Sequence, residues 1–259
     1  MPGDTRDGYH DTFELRGRRY DAAMRRWPTV RAEELSFALG LVEPRPGEVL
    51  VDIPSGGGYL AEHVAAGVHV RAVDASPVFL ECSRERGLQP IESDLTGAAL
   101  AEGEADVVVS VAGMHHTDDH LELFTAWHRL LRPGGRLAAV DVISGSPEAV
   151  FLDGVVGEWT STGHAGRFFT DDTAAQVEAA GFVDVRVVDG RYHWWADDDA
   201  ELTAFCTELF ALEEAAPADV LAALRAGPGI EHDEAGRSGL RWGLRAVVAR
   251  TAGPAGAAG

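Results

Sequence analysis

Two adjacent histidines, His115 and His116, follow the apolar run Val107 to Val111 in a chain of 259 residues. Imidazole takes up and returns a proton near neutral pH, so a histidine just past a buried strand suits general base chemistry. His116 is the first candidate for that role and His115 the second. Three carboxylates show the same placement. Asp52, Asp74 and Asp94 each stand at the end of an expected strand, where open α/β sheets bind their ligands. Between the first two lies Pro54-Ser55-Gly56-Gly57-Gly58, a turn that lets a ligand come close to the backbone. Asp74 stands where a carboxylate can accept from both hydroxyls of a ribose, and Asp94 suits an exocyclic amine of adenine.

The elements that must hold these residues alternate. Val49–Ile53, Val68–Val73, a short stretch near Ile91–Asp94, Val107–Val111, Leu137–Val142, Phe182–Val188 and Trp242–Ala249 read as strands. A helix is expected through Leu60, Val64 and Ala65. Another opens with Ser76 as N-cap and Pro77 at its first position. A third begins at Asp118 or Asp119, with Leu121, Phe124, Trp127 and Leu131 on its apolar face. The alternation predicts an α/β fold with a Rossmann-like, doubly wound, mostly parallel seven-stranded sheet. Leu35, Ala38, Leu39 and Val42 predict an earlier helix stopping at Gly40. Helices over about 199–215 and 217–226 predict a helical cap before the last strand. The expected organisation is a helical lid over 1–45, a core over 46–250 with insertions at about 144–169 and 196–238, and a disordered tail over 251–259.

Composition removes several chemistries. All 22 basic residues are arginine, so there is no lysine for a Schiff base, a phosphate loop or a Tyr-x-x-x-Lys dehydrogenase site. A formal charge of −20 disfavours a nucleic-acid partner. Val107 to Met114, the longest apolar stretch, is too short to span a bilayer, and no basic-then-apolar leader opens the sequence. No membrane partner and a cytoplasmic location are expected. Cys82 and Cys206 fit no CxxC spacing, and no cluster of His, Asp or Glu has metal-ligand spacing, so no metal is predicted. Gly56-x-Gly58-x-x-Ala61 satisfies the dinucleotide fingerprint taken literally. Asp52 would face the pyrophosphate there and repel it, whereas a ligand carrying ammonium and sulfonium charges would be attracted.

The segments VLVDIPSGGGYL at 49–60, VRAVDAS at 70–76, ESDL at 92–95, ADVVVSVAGMHH at 105–116 and HRLLRPGGRLAAVDV at 128–142 resemble the class I S-adenosylmethionine-dependent methyltransferases, over roughly residues 20 to 190. The resemblance implies S-adenosyl-L-methionine as cofactor. It gives the methionine part to Asp52, Gly56 and Gly58, the ribose to Asp74, the adenine to Asp94, and a lid aromatic to Tyr20. Pro54, Ala75, Leu95 and Val111 complete the implied set, with Pro54 departing from the family's usual first glycine. Members that methylate bases or glutamine amides carry Asn/Asp-Pro-Pro-Tyr where this chain has Ser110-Val111-Ala112-Gly113. The implied acceptor is therefore a small molecule, methylated on O, N or C in specialised metabolism, by a monomer or homodimer. Trp159, His164, Phe168, His193 and Trp194 are the candidate acceptor-binding residues. An NAD-dependent oxidoreductase and a non-catalytic S-adenosylmethionine-binding module are the alternatives.

Overall fold

The computed structural model describes residues 6–253 except residue 213. Two helices, α1 (Arg6–Arg26) and α2 (Ala32–Val42), precede the sheet. There follow β1 (Val49–Asp52), β2 (His69–Asp74), α3 (Pro77–Glu85), β3 (Ile91–Glu92), β4 (Ala105–Val111), α4 (His120–Leu130) and β5 (Leu131–Asp141). Next come α5 (Pro147–Phe151), a π-helical turn, α6 (Gly157–Trp159), α7 (Thr173–Ala179), β6 (Val183–Asp189), β7 (Tyr192–Ala196), α8 (Asp199–Phe210) and α9 (Pro217–Ala226). The described chain closes with β8 (Ile230–His232), β9 (Ser238–Trp242) and β10 (Arg245–Arg250).

Seven strands form one sheet in the order β3-β2-β1-β4-β5-β10-β6. β10 runs antiparallel between β5 and β6, and the pairings among β1 to β5 are parallel. β4 is buried from Ala105 through Ser110, as expected of a parallel strand covered on both faces. One face packs Phe124, Trp127 and Phe169; the other packs Phe151, Trp194 and Phe205. The Trp127 indole donates to Leu95 O at 2.8 Å, so the core tryptophan also holds the loop carrying Asp94 and Leu95. Ser76 caps α3 by accepting from Phe79 N–H, and Asp119 caps α4 by accepting from Glu122 N–H.

The structure departs from expectation at five places. The segment after the glycine turn is a five-residue 3-10 helix, Tyr59–His63, because the turn at Gly67 (φ 89°) leaves no room for more. α2 continues through Gly40 and stops at Glu43, which takes the left-handed conformation (φ 43°). β5 starts at Leu131 and includes Pro133-Gly134-Gly135. The predicted cap contains α8 and α9 but also an antiparallel sheet, β7-β9-β8. The expected tail is fastened at its start: Thr251 is buried and its Oγ1 accepts from Gly135 N–H and donates to Arg132 O. Residues 254–259 lie outside the described residues. Among the described residues no helix is long and apolar enough to cross a membrane.

Candidate active site

Asp52 ends β1 with a buried carboxylate whose Oδ2 has no hydrogen-bond partner among the described residues. Burial, then the nearby Asp74, pushes its pKa well above the ordinary range. A buried acceptor left unsatisfied is costly, and its placement beside a glycine turn marks the spot where a cationic donor would be stabilised. Asp74, at the end of β2, is better served. Its Oδ1 accepts from Ser76 N–H at 2.8 Å, and its Oδ2 accepts from Gly56 N–H at 2.8 Å and from the Tyr9 hydroxyl at 3.0 Å. Burial still raises its pKa to about 7 against the pull of these donors. Gly56 and Gly58 have φ of 53° and 82°, the left-handed region that glycine enters without strain.

Tyr20, Asp52, Pro54, Gly56 and Val111 line one recess at this sheet edge, and Ala75, Asp94 and Leu95 line a second. Gly58 shapes the turn without lining either. Tyr9 of α1 lines both recesses, with its hydroxyl on the carboxylate oxygen that a ribose diol would need. Tyr20 lies further along the helix, its hydroxyl accepting from Arg31.

On the other side of Tyr20, the chain leaving β4 carries His115 and His116, and β5 ends at Asp141. His115 is buried; its Nδ1 lies 2.7 Å from Asp141 Oδ1, and its backbone N–H donates to Asp141 Oδ2 at 3.1 Å. Burial alone would raise the Asp141 pKa, but His115 and the Val142 N–H hold it below the ordinary value. An ionised Asp141 accepts a hydrogen bond from the Nδ1–H of His115 and leaves Nε2 as an acceptor. His116 packs edge-on against Tyr9 and Phe13. Its pKa is pushed far down, first by burial and then by His115, His164 and Arg16, which makes it a weak base. His164 Nδ1 lies 2.8 Å from Asp153 Oδ1, yet burial brings its pKa down to about 4.

The spacing of these histidines along the chain gives no metal pattern. The fold nonetheless brings one ring nitrogen from each of His115, His116 and His164 within 4.8 Å of the other two. Carboxylates on Nδ1 of a ligating imidazole are the usual outer support of such sites. The trio borders a cavity of about 560 Å³, also lined by Phe13, Arg16, Trp194, Phe210 and Trp242. Trp194 and Trp242 stack with ring centroids 4.2 Å apart, and Trp194 donates to Glu34 at 2.7 Å.

The structure thus gathers His115, His116, His164 and Trp194 around one cavity, with Phe168 5.8 Å from His115 ring to ring. Two candidates lie elsewhere. His193 projects from β7 to Glu231 at 3.1 Å, on a strand whose alternation sends Trp194 to the cavity and its neighbours away from it. Trp159 is half-buried against the core and lines no recess described here. Sequence reasoning missed Tyr9, Phe13, Arg16, Tyr59 and Trp242. The aromatic spacing of the first segment was the only local signal for any of them.

A sheet in this order with a reversed β10 between β5 and β6, and acids at the ends of β1 and β2, is the class I methyltransferase fold. It matches phosphoethanolamine N-methyltransferase 2 of Haemonchus contortus, whose structure holds phosphomonomethylethanolamine and S-adenosylhomocysteine (TM-score 0.62, 16% identity, 96% of this chain and 60% of that one). It also matches the YcgJ protein of Bacillus subtilis (TM-score 0.60, 15% identity, 85% of this chain and 98% of that one). Residues 51–139 match the family described as a methyltransferase domain. Its curated relatives include an arsenite methyltransferase of Halobacterium salinarum, 29% identical over 66% of this chain and 48% of the relative. Another is a ubiquinone biosynthesis O-methyltransferase of Ruegeria pomeroyi, 34% identical over 54% of this chain and 62% of the relative. The chain thus spans about half to three-fifths of the length of these two relatives.

Proposed function

We propose that this protein transfers a methyl group from S-adenosylmethionine to a small-molecule acceptor whose reacting atom gives up a proton. The reading is carried by Asp52 Oδ2, a buried carboxylate oxygen without a partner beside the Gly56 turn. When bound, the cofactor supplies a methyl group on a sulfonium cation. Asp52 and Asp74 would hold its cationic and ribose portions, and the recess of Ala75, Asp94 and Leu95 its adenine. His115 would take the acceptor's proton on Nε2 while Asp141 keeps the ring in the required tautomer, and this geometry favours His115 over His116. Trp194, Trp242 and Phe210 exclude water around the acceptor, so positioning contributes a large part of the rate.

Calorimetry with S-adenosylhomocysteine and with NAD tests this reading. Binding of the first and not the second is expected; binding of NAD alone would overturn it. A pH series adds a sign. Because apo Asp74 is protonated below about 7, a ligand that needs its carboxylate should bind with proton release. Through Asp74 alone, affinity should rise with pH by up to about tenfold per unit below 7. An affinity flat from pH 5 to 8 would remove Asp74 from the site. Tyr9→Phe should bind S-adenosylhomocysteine several-fold more tightly, since it deletes a competing hydrogen bond of about 1 kcal/mol; weaker binding would show that the hydroxyl assists the ligand.

A further inference from the structure

Arg16 stands out among the arginines. It is 8% exposed and lines the cavity beside His115, His116 and His164. Of its five N–H donors, one on Nη1 reaches Thr162 Oγ1 at 3.3 Å and one on Nη2 reaches Phe210 O at 2.8 Å, while Nε has no partner. Among the described residues no carboxylate pairs with it, in a chain with 42 acidic residues. Arg31, the other buried arginine, is paired with Glu34, and Arg86 and Arg136 are paired with Asp21 and Glu48.

A buried cation without a counter-ion is expensive. Burial brings the Arg16 pKa down to about 10, which leaves it charged at neutral pH. Its charge also helps to keep His116 and His164 neutral. The acids near the cavity do not offset it, because Asp141 is engaged with His115, Asp153 with His164 and Glu34 with Arg31. Arg31 also lines the cavity but is paired with Glu34, so Arg16 is the one cation of the lining without a carboxylate partner among the described residues.

We propose that Arg16 anchors a carboxylate of the acceptor, so that the protein methylates apolar or aromatic acids, an assignment that rests on reading this cavity as the acceptor site. The unused Nε–H and a neighbouring Nη–H form the side-on fork that pairs with a planar carboxylate. A phosphate dianion would call for a second unpaired cation, and Arg31 is committed to Glu34. The stacked rings of Trp194 and Trp242 take the apolar body of the molecule.

The test uses the full chain saturated with S-adenosylhomocysteine, treated with EDTA. Benzoate, phenylacetate, 3-phenylpropionate and 4-phenylbutyrate are titrated against the corresponding alcohols by calorimetry. At least one acid should bind tenfold or more tightly than its alcohol. Arg16→Gln should abolish that preference while alcohol binding and S-adenosylhomocysteine affinity stay unchanged, and Arg16→Lys should keep part of it. The assignment is overturned if no acid outcompetes its alcohol at any chain length, or if Arg16→Gln retains the preference. A preference that appears only with added Zn²⁺ also overturns it, since the three histidines would then hold the anion through a metal. S-adenosylhomocysteine binding, measured first, separates failure here from failure of the methyltransferase reading.

Discussion

His115→Ala is expected to lower kcat by about 10²- to 10⁴-fold, the usual contribution of a positioned base, with S-adenosylhomocysteine affinity within about twofold of wild type. The expectation rests on the buried pair of His115 Nδ1 and Asp141 Oδ1 at 2.7 Å. Asp141→Asn should approach the same loss, because an amide no longer enforces the tautomer that leaves Nε2 free. His116→Ala should cost far less, since His116 has no carboxylate partner among the described residues and is held neutral by its surroundings. The pH profile separates a base from a merely structural ring. In His115→Ala the rate should climb with pH as the acceptor ionises unaided, while wild type levels off earlier. Release of S-adenosylhomocysteine with a turning-over acceptor is the assay. A wild-type rate in His115→Ala would remove the base and leave catalysis to positioning.

Asp74→Ala should weaken S-adenosylhomocysteine by about 100-fold or more. A ribose diol would give this carboxylate two charge-assisted hydrogen bonds, each worth roughly 1.5–3 kcal/mol, and Gly56 N–H would lose the acceptor that fixes the turn. Asp74→Asn keeps the shape and should fall between the two, which guards against reading a misfolded turn as a binding defect. Calorimetric affinity within threefold of wild type in both variants would take Asp74 out of the cofactor site.

The central strands were legible because a strand covered on both faces is written as a near-continuous apolar run, as in Val107 to Val111 with Ser110 alone interrupting it. The ends of those runs then located Asp52, Asp74 and the histidine pair without reference to packing. The strands of the second sheet carried no such mark. β8 and β9 are short, β9 contains Gly239 and Arg241, and β9 pairs with β7 across more than forty residues, so only the folded chain reveals them. The same limit hid the rest of the site. Arg16 sits among Arg18 and Arg19 with nothing local to distinguish it, and its isolation comes from Thr162 and Phe210, far along the chain. His164 joins the other histidines through a loop, and Tyr9 earns its place only by meeting Asp74, 65 residues away.

α1 places Tyr9, Phe13, Arg16 and Tyr20 at intervals of four, three and four residues, a single stripe along one helix. One end of that stripe rests on Asp74 and the middle borders the histidine-lined cavity. A rigid displacement of the helix that uncovers Asp74 must therefore carry Arg16 with it. Occupancy of either compartment then biases the other, and by thermodynamic reciprocity each ligand alters its companion's affinity by the same factor.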